Sequence, residues 1–154
     1  MPLILFILLI LPLNVYPSFY KMEVWEVLKG KGEPKYFVDP ESKKLHSTYQ
    51  YIESLMEVES EGRNITTPEK NVRDVSYGPL QIRCKTAKWM GYKKSCNTLR
   101  YAENSIPVAV KYALMLLKKH RYNVKKSASA YNAGTPTLRN SRYTKKVLAL
   151  LSSL

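Results

Sequence analysis

Acidic side chains are scarce in this chain. Its 154 residues hold 12 Asp and Glu against 25 Lys and Arg, a formal net charge of +13. A chain so basic associates with polyanions, and nucleic acid and the anionic bacterial envelope are the two candidates. The Lys and Arg are scattered, however, and match neither a groove-reading helix nor an aromatic RNA-binding motif, which sets nucleic acid aside. Histidine is rarer still. His46 and His120 lie far apart without ligand-spaced partners, so no metal site and no cofactor is expected. Repeats and low-complexity stretches are also lacking. The length and a 45% hydrophobic content describe one domain able to pack a core.

Residues 3–13 form an uncharged apolar run, short for a membrane span and suited to the core of a secretory signal. No Lys or Arg precedes it, and Tyr16 and Ser18 make a weak cleavage site around Pro17. Residues 1–18 are expected to be a signal peptide or a retained N-terminal anchor, and the protein is expected in the periplasm or cell envelope. Cysteine occurs twice, at Cys84 and Cys96. In an exported protein an even pair suggests a disulfide, which for a loop of this size stabilises by roughly 3 kcal/mol. Two unrelated buried thiols are the alternative.

Residues 19–45 form an N-terminal extension of unassigned role. In it Met22–Leu28 alternates well enough for a short strand or a helical turn, and Lys29-Gly-Lys-Gly-Glu-Pro reads as a turn. From Ser47 to Glu61 there is no Pro or Gly, and the stretch predicts an amphipathic helix stopping at Gly62. At about 100° per residue, Tyr49, Ile52, Leu55, Met56 and Glu59 share one stripe, with Glu57 and Glu61 roughly opposite and Glu53 at the flank. Glu59 is thus an acid on the apolar side. Apolar surroundings make a carboxyl costly to ionise, and an acid kept protonated near neutral pH can give a proton to a leaving group. Pairing with a Lys or Arg is the bland alternative.

Residues 63–77 read as a polar loop. A short helix is expected from about Lys85 to Met90. Asn104-Ser105 reads as the cap of a helix carrying Ile106, Val110, Ala113, Leu114 and Leu117 and ending near Lys119. Helices from about Val124 to Ala133, capped by Gly134, and from Arg142 to Leu150 complete a mostly α domain.

Four separated blocks fall in one order: Val58-Glu59-Ser60, Gly78-Pro79-Leu80-Gln81-Ile82, Ala130-Tyr131-Asn132-Ala133-Gly134, and Tyr143-Thr-Lys-Lys-Val-Leu. This order resembles the goose-lysozyme-like lytic transglycosylases of glycoside hydrolase family 23. The closer likeness is to small single-domain members that accompany secretion and conjugation machines, and phages use compact enzymes of this type. The likeness runs from about residue 47 to the end and implies an α+β lysozyme-like domain over residues 46–154, acting as a monomer. It also implies cleavage of the β-1,4 bond between N-acetylmuramic acid and N-acetylglucosamine in peptidoglycan, closing a 1,6-anhydro ring, with one Glu as acid and then base. The scarcity of acids agrees. Between Glu61 and Glu103 only Glu69 and Asp74 occur, both in the polar loop, whereas two-carboxylate hydrolysis needs a second acid across the cleft.

Residue by residue, the resemblance makes Glu59 the catalytic acid/base. Gln81, Tyr131, Asn132 and Tyr143 become sugar contacts. Ser60 becomes a sugar contact or a clamp on the helix and adjacent loop. Gly78 answers a close backbone approach and Gly134 a positive φ. Two departures stand out: Pro79-Leu80 replaces the usual Leu-Met, and Arg139 stands where larger members have a Glu. Ser76 sits near the place of a further family Ser without matching its spacing. A lysozyme-type hydrolase on the same scaffold, and a cationic wall-binding protein without catalysis, are the alternatives.

Overall fold

The computed structural model describes residues 19–68, 75–137 and 141–153. The leader therefore lies outside the described residues, as do Glu69, Asp74 and Arg139. Among the described residues there are six α-helices: α1 (Phe19–Lys29), α2 (Thr48–Ser60), α3 (Cys84–Trp89), α4 (Ala102–Lys119), α5 (Val124–Ala133) and α6 (Ser141–Ser153). The strands are short. β1 (Tyr36–Val38) pairs antiparallel with β2 (Leu45–Ser47), and β3 (Thr66–Thr67), β4 (Ser76–Tyr77) and β5 (Ile82–Arg83) form an antiparallel sheet in that order. The expected mostly α, lysozyme-like architecture is what forms. No helix among the described residues is long and apolar enough to cross a membrane.

The longest helix, α4, organises the core. Ile106, Ala109, Val110, Ala113 and Leu117 are fully or almost fully buried on it, with α1, α3 and α5 packed around. Its start differs from expectation. It begins at Ala102, and the side-chain amide of Asn104 donates to Thr98 O at 3.0 Å rather than serving as a cap, so Pro107 lies inside the helix. The preceding 3-10 helix (Cys96–Arg100) is joined to α3 by the Cys84–Cys96 disulfide, Cα to Cα 5.6 Å.

α2 carries the acid of interest, and its ends follow from local chemistry. The Ser47 hydroxyl accepts from Gln50 N at 3.3 Å, and Glu61 closes the helix in the left-handed region at φ 56°, followed by Gly62 at φ 72°. Ile52, Leu55 and Met56 are fully buried as the stripe predicts. Tyr51 takes the fully buried aromatic place, whereas Tyr49 is only partly covered, edge-on to Trp25 at 5.5 Å. The flanking Glu53 meets Lys21 at 2.7 Å, which ties α2 to α1.

Helix α1 stands where the pattern suggested a strand or single turn. Val24 is fully buried while Met22 and Trp25 point to solvent, so the apolar residues occupy two sides and hide the helical period. Glu23, next to Val24, has a buried Oε2 with no hydrogen-bond partner among the described residues. Burial first, and the nearby Glu103 charge second, raise its pKa above the ordinary carboxylate value. The folded state then binds this proton more tightly than the unfolded chain. Stability falls as pH rises from the ordinary value through the raised one. Glu23→Gln is expected to stabilise at neutral pH by up to about 1 kcal/mol and to do nothing at pH below the carboxylate range. Urea unfolding at the two pH values checks this; equal effects at both would contradict it.

Asp39 ties the β1–β2 hairpin to the start of α5. Its carboxylate accepts from Glu41 N, Ser42 N, the Ser42 hydroxyl at 2.6 Å and Val124 N at 3.4 Å. Burial alone would raise its pKa, but the bonds from Ser42, Glu41 and Val124 outweigh burial and lower it.

Candidate active site

The ends of α2 and α5 meet the β4–β5 turn, and a cleft of about 160 Å³ opens there. Among the described residues it is lined by Glu59, Ser76, Gln81, Ile82, Arg83, Thr86, Tyr112, Tyr131, Asn132, Ala133 and Gly134. Blocks far apart in sequence thus converge. Glu59 sits one residue from the end of α2, Tyr131 and Asn132 close α5, and Gly134 caps it at φ 81°.

Tyr143 reaches the acid from α6. Its hydroxyl donates to Glu59 Oε1 at 2.7 Å. Burial, then the Glu59 charge and the hydrogen bond to it, push the Tyr143 hydroxyl well above its usual pKa. It therefore remains protonated and stays a donor at neutral pH. Tyr143→Phe removes one donor and no apolar contact. Under the chemistry that the four motif blocks imply, it is expected to lower the rate of glycan cleavage about 100-fold with little loss of stability, measured as soluble product released from sacculi. A change of less than about twofold would contradict this role.

The β4–β5 turn is held through three consecutive carbonyls. Gly78 O accepts from Gln81 N at 3.1 Å and from the Gln81 side-chain amide at 2.9 Å. Pro79 O accepts from the Ser60 hydroxyl at 2.7 Å, and Leu80 O from the Tyr131 hydroxyl at 2.7 Å. The first three motif blocks each supply one clamp. Ser60 was expected as a sugar contact or a clamp and Tyr131 at the cleft near Glu59, and the hydroxyls of both are engaged by backbone. The Ser60 hydroxyl is buried and also bonds Met56 O at 3.3 Å, so the geometry is that of the helix-and-loop clamp. The Tyr131 ring lines the cleft while its hydroxyl faces the turn. Burial first, then the Glu59 charge, raise its pKa well above the usual value, which keeps it a donor to Leu80 O.

Gln81 itself has positive φ, 49°. Its amide nitrogen donates to Ile65 O and Gly78 O, both at 2.9 Å. Both partners are acceptors, so the orientation of the amide is set, and its carbonyl oxygen is the group left for the cleft. Gly78 answers a close approach as expected. At φ 79° an added Cβ would overlap the Ser105 hydroxyl oxygen and lie 2.8 Å from Ser105 Cβ.

Four lining residues carried no signal in the sequence reading: Arg83, Thr86, Tyr112 and, left unassigned, Ser76. Tyr112 lies on the apolar face of α4 and reads as core, and it is indeed 92% covered while still forming cleft wall. Among the described residues no group of three His, Cys, Asp or Glu could hold a metal ion.

The family model of the transglycosylase SLT domain matches residues 37–149, nearly three quarters of the chain. The chain belongs to this family. The SLT match takes in the β1–β2 ribbon except Tyr36, all four motif blocks and the residues that line the cleft, and begins after α1. SLT domains are lytic transglycosylases acting on peptidoglycan, which places this chain among enzymes of the cell wall and envelope. No curated protein and no solved structure matches the chain.

Proposed function

We propose that this SLT domain cleaves the β-1,4 bond between N-acetylmuramic acid and N-acetylglucosamine and closes a 1,6-anhydro ring, with Glu59 as the single acid/base. The observation that carries the proposal is the hydrogen bond from Tyr143 to Glu59, the only acid among the described residues that line the cleft. In the first half, the Glu59 proton passes to the glycosidic oxygen as the C1–O bond breaks, and the N-acetyl carbonyl oxygen of the muramic acid covers C1. In the second half, the Glu59 carboxylate takes the proton of the sugar's own 6-hydroxyl as that oxygen attacks C1 and the acetamido group leaves. Charge and atoms balance without water, and the acid returns to its starting state.

Within this reading Gln81 presents its carbonyl oxygen to a sugar hydroxyl or amide, and the exposed Asn132 offers both donor and acceptor at the cleft mouth. Ser60 and Tyr131 act as positioning residues through the turn that carries Gln81. Assignment to the goose-lysozyme-like branch rests on the order of the four blocks. The leader as export signal or anchor, and wall opening for a secretion, conjugation or phage machine, belong to the same proposal. The net charge of +13 suits affinity for the anionic wall.

Incubation of the purified protein with sacculi, followed by mass spectrometry of the soluble fraction, tests the function. Released muropeptides with anhydro ends are expected. Intact sacculi in the presence of folded protein would overturn it.

A further inference from the structure

The wall of the cleft does not stop at its lining. Arg83, at the end of β5, and Thr86 on α3 line it, and Trp89 lies one helical turn beyond Thr86 on α3. The Trp89 ring meets Tyr112 edge to face, centroids 6.4 Å apart and planes at 84°. Tyr112 in turn packs against Tyr131 at 5.4 Å, and both of those rings line the cleft. Trp89 nevertheless remains 66% exposed. The other exposed large apolar residues are Met22, Trp25, Tyr36, Val38, Leu45 and Tyr101. Among the described residues, none of these shares a ring contact with a cleft-lining side chain. Exposing most of an indole forgoes a large hydrophobic gain, and its contact with Tyr112 limits how the ring can reorient.

We propose that Trp89 is a sugar-stacking platform that extends the glycan site beyond the cleft along α3. The ligand class is a pyranose ring of the glycan strand, at a place removed from the cut bond. A pyranose ring presents a face of C–H groups, which packs on the electron-rich indole face and removes apolar surface of both from water. A cleft of about 160 Å³ encloses little more than one sugar ring, so a polymeric substrate has to be held on surface outside it. The Trp89–Tyr112–Tyr131 series supplies that surface in continuity with the lining. Stacking on a ring outside the cleft lining favours long strands over short fragments. The inference rests on the reading of the cleft as a peptidoglycan site.

The chain has two Trp residues, so Trp25→Phe leaves Trp89 as the sole indole reporter. In that background, with Glu59→Gln to prevent turnover, the probes are long peptide-free glycan strands and the corresponding disaccharide. Long strands are expected to shift Trp89 emission saturably, and the disaccharide is not. By calorimetry, Trp89→Ala is expected to weaken long-strand binding about tenfold, and Trp89→Tyr by clearly less, since a smaller ring still stacks. Binding of long strands with Trp89 emission unmoved and an unchanged Kd in Trp89→Ala would overturn the platform and leave the function standing. Failure of long strands to bind, together with intact sacculi in the wild-type assay, would overturn both.

Discussion

Glu59→Gln is expected to leave the fold intact and to lower the release of soluble muropeptides about a thousandfold or more. The substitution is close to isosteric, and the Gln carbonyl oxygen still accepts from the Tyr143 hydroxyl that now meets Glu59 Oε1 at 2.7 Å. What is lost is the proton. Tyr131 and Tyr143 both have hydroxyls pushed well above their usual pKa, and Glu59 is the only acid among the described residues that line the cleft. Two readouts are needed together: product release from sacculi, and the midpoint of urea unfolding. An unchanged midpoint with lost activity is the expected pair. Undiminished release would remove Glu59 from the reaction.

The second large effect is on the turn. Gly78→Ala is expected to destabilise by roughly 3 kcal/mol or more, because overpacking and a strained positive φ add. The new Cβ would overlap the Ser105 hydroxyl oxygen and sit 2.8 Å from Ser105 Cβ, on a helix that cannot easily retreat from the core. Displacing Gly78 also displaces the carbonyls that hold Gln81 and that Ser60 and Tyr131 clamp, so activity should fall further than stability alone explains. The partner residue provides an internal control. The Ser105 hydroxyl is buried with no hydrogen-bond partner among the described residues. Ser105→Ala alone is therefore expected to be neutral or mildly stabilising. In combination it should restore part of the Gly78→Ala loss but not the share due to φ. A Gly78→Ala protein as stable as wild type would contradict the close approach.

The helices that were easiest to read are those whose ends are written in side chains. For α5, Val124–Ala133, the run of small and apolar residues ends at Gly134, and the chain turns there with φ 81°. For α2, Ser47 and Gly62 bracket the apolar stripe, and the helix fills the space between them. The start of α4 misled because Asn104 is a good cap residue by type, yet its amide is drawn to Thr98 O in the preceding 3-10 helix. A tertiary partner had overridden a local preference. Helix α1 was obscured by Met22 and Trp25, apolar residues that face solvent and break the amphipathic pattern.

At the site, residue types were legible and their tasks only partly so. Glu59 announced itself as an acid among apolar neighbours, and Gly78 and Gly134 as backbone requirements. Ser60 and Tyr131 were recognisable as members of the blocks, but the atoms they bind are the carbonyl oxygens of Pro79 and Leu80. A backbone carbonyl has no sequence signature, so a hydroxyl that clamps a turn and one that binds sugar look alike in the sequence. Tyr112 and Trp89 were hidden for the opposite reason: an aromatic on a helix reads as core until its neighbours are placed.

Cleavage by one acid, with the sugar's own hydroxyl as nucleophile, is most directly tested by digesting sacculi in water labelled with heavy oxygen and weighing the released muropeptides. The single-acid route predicts products one water lighter than hydrolytic ones and free of label. Reducing ends carrying one labelled oxygen would show that water attacks C1, and would contradict Glu59 acting alone through ring closure.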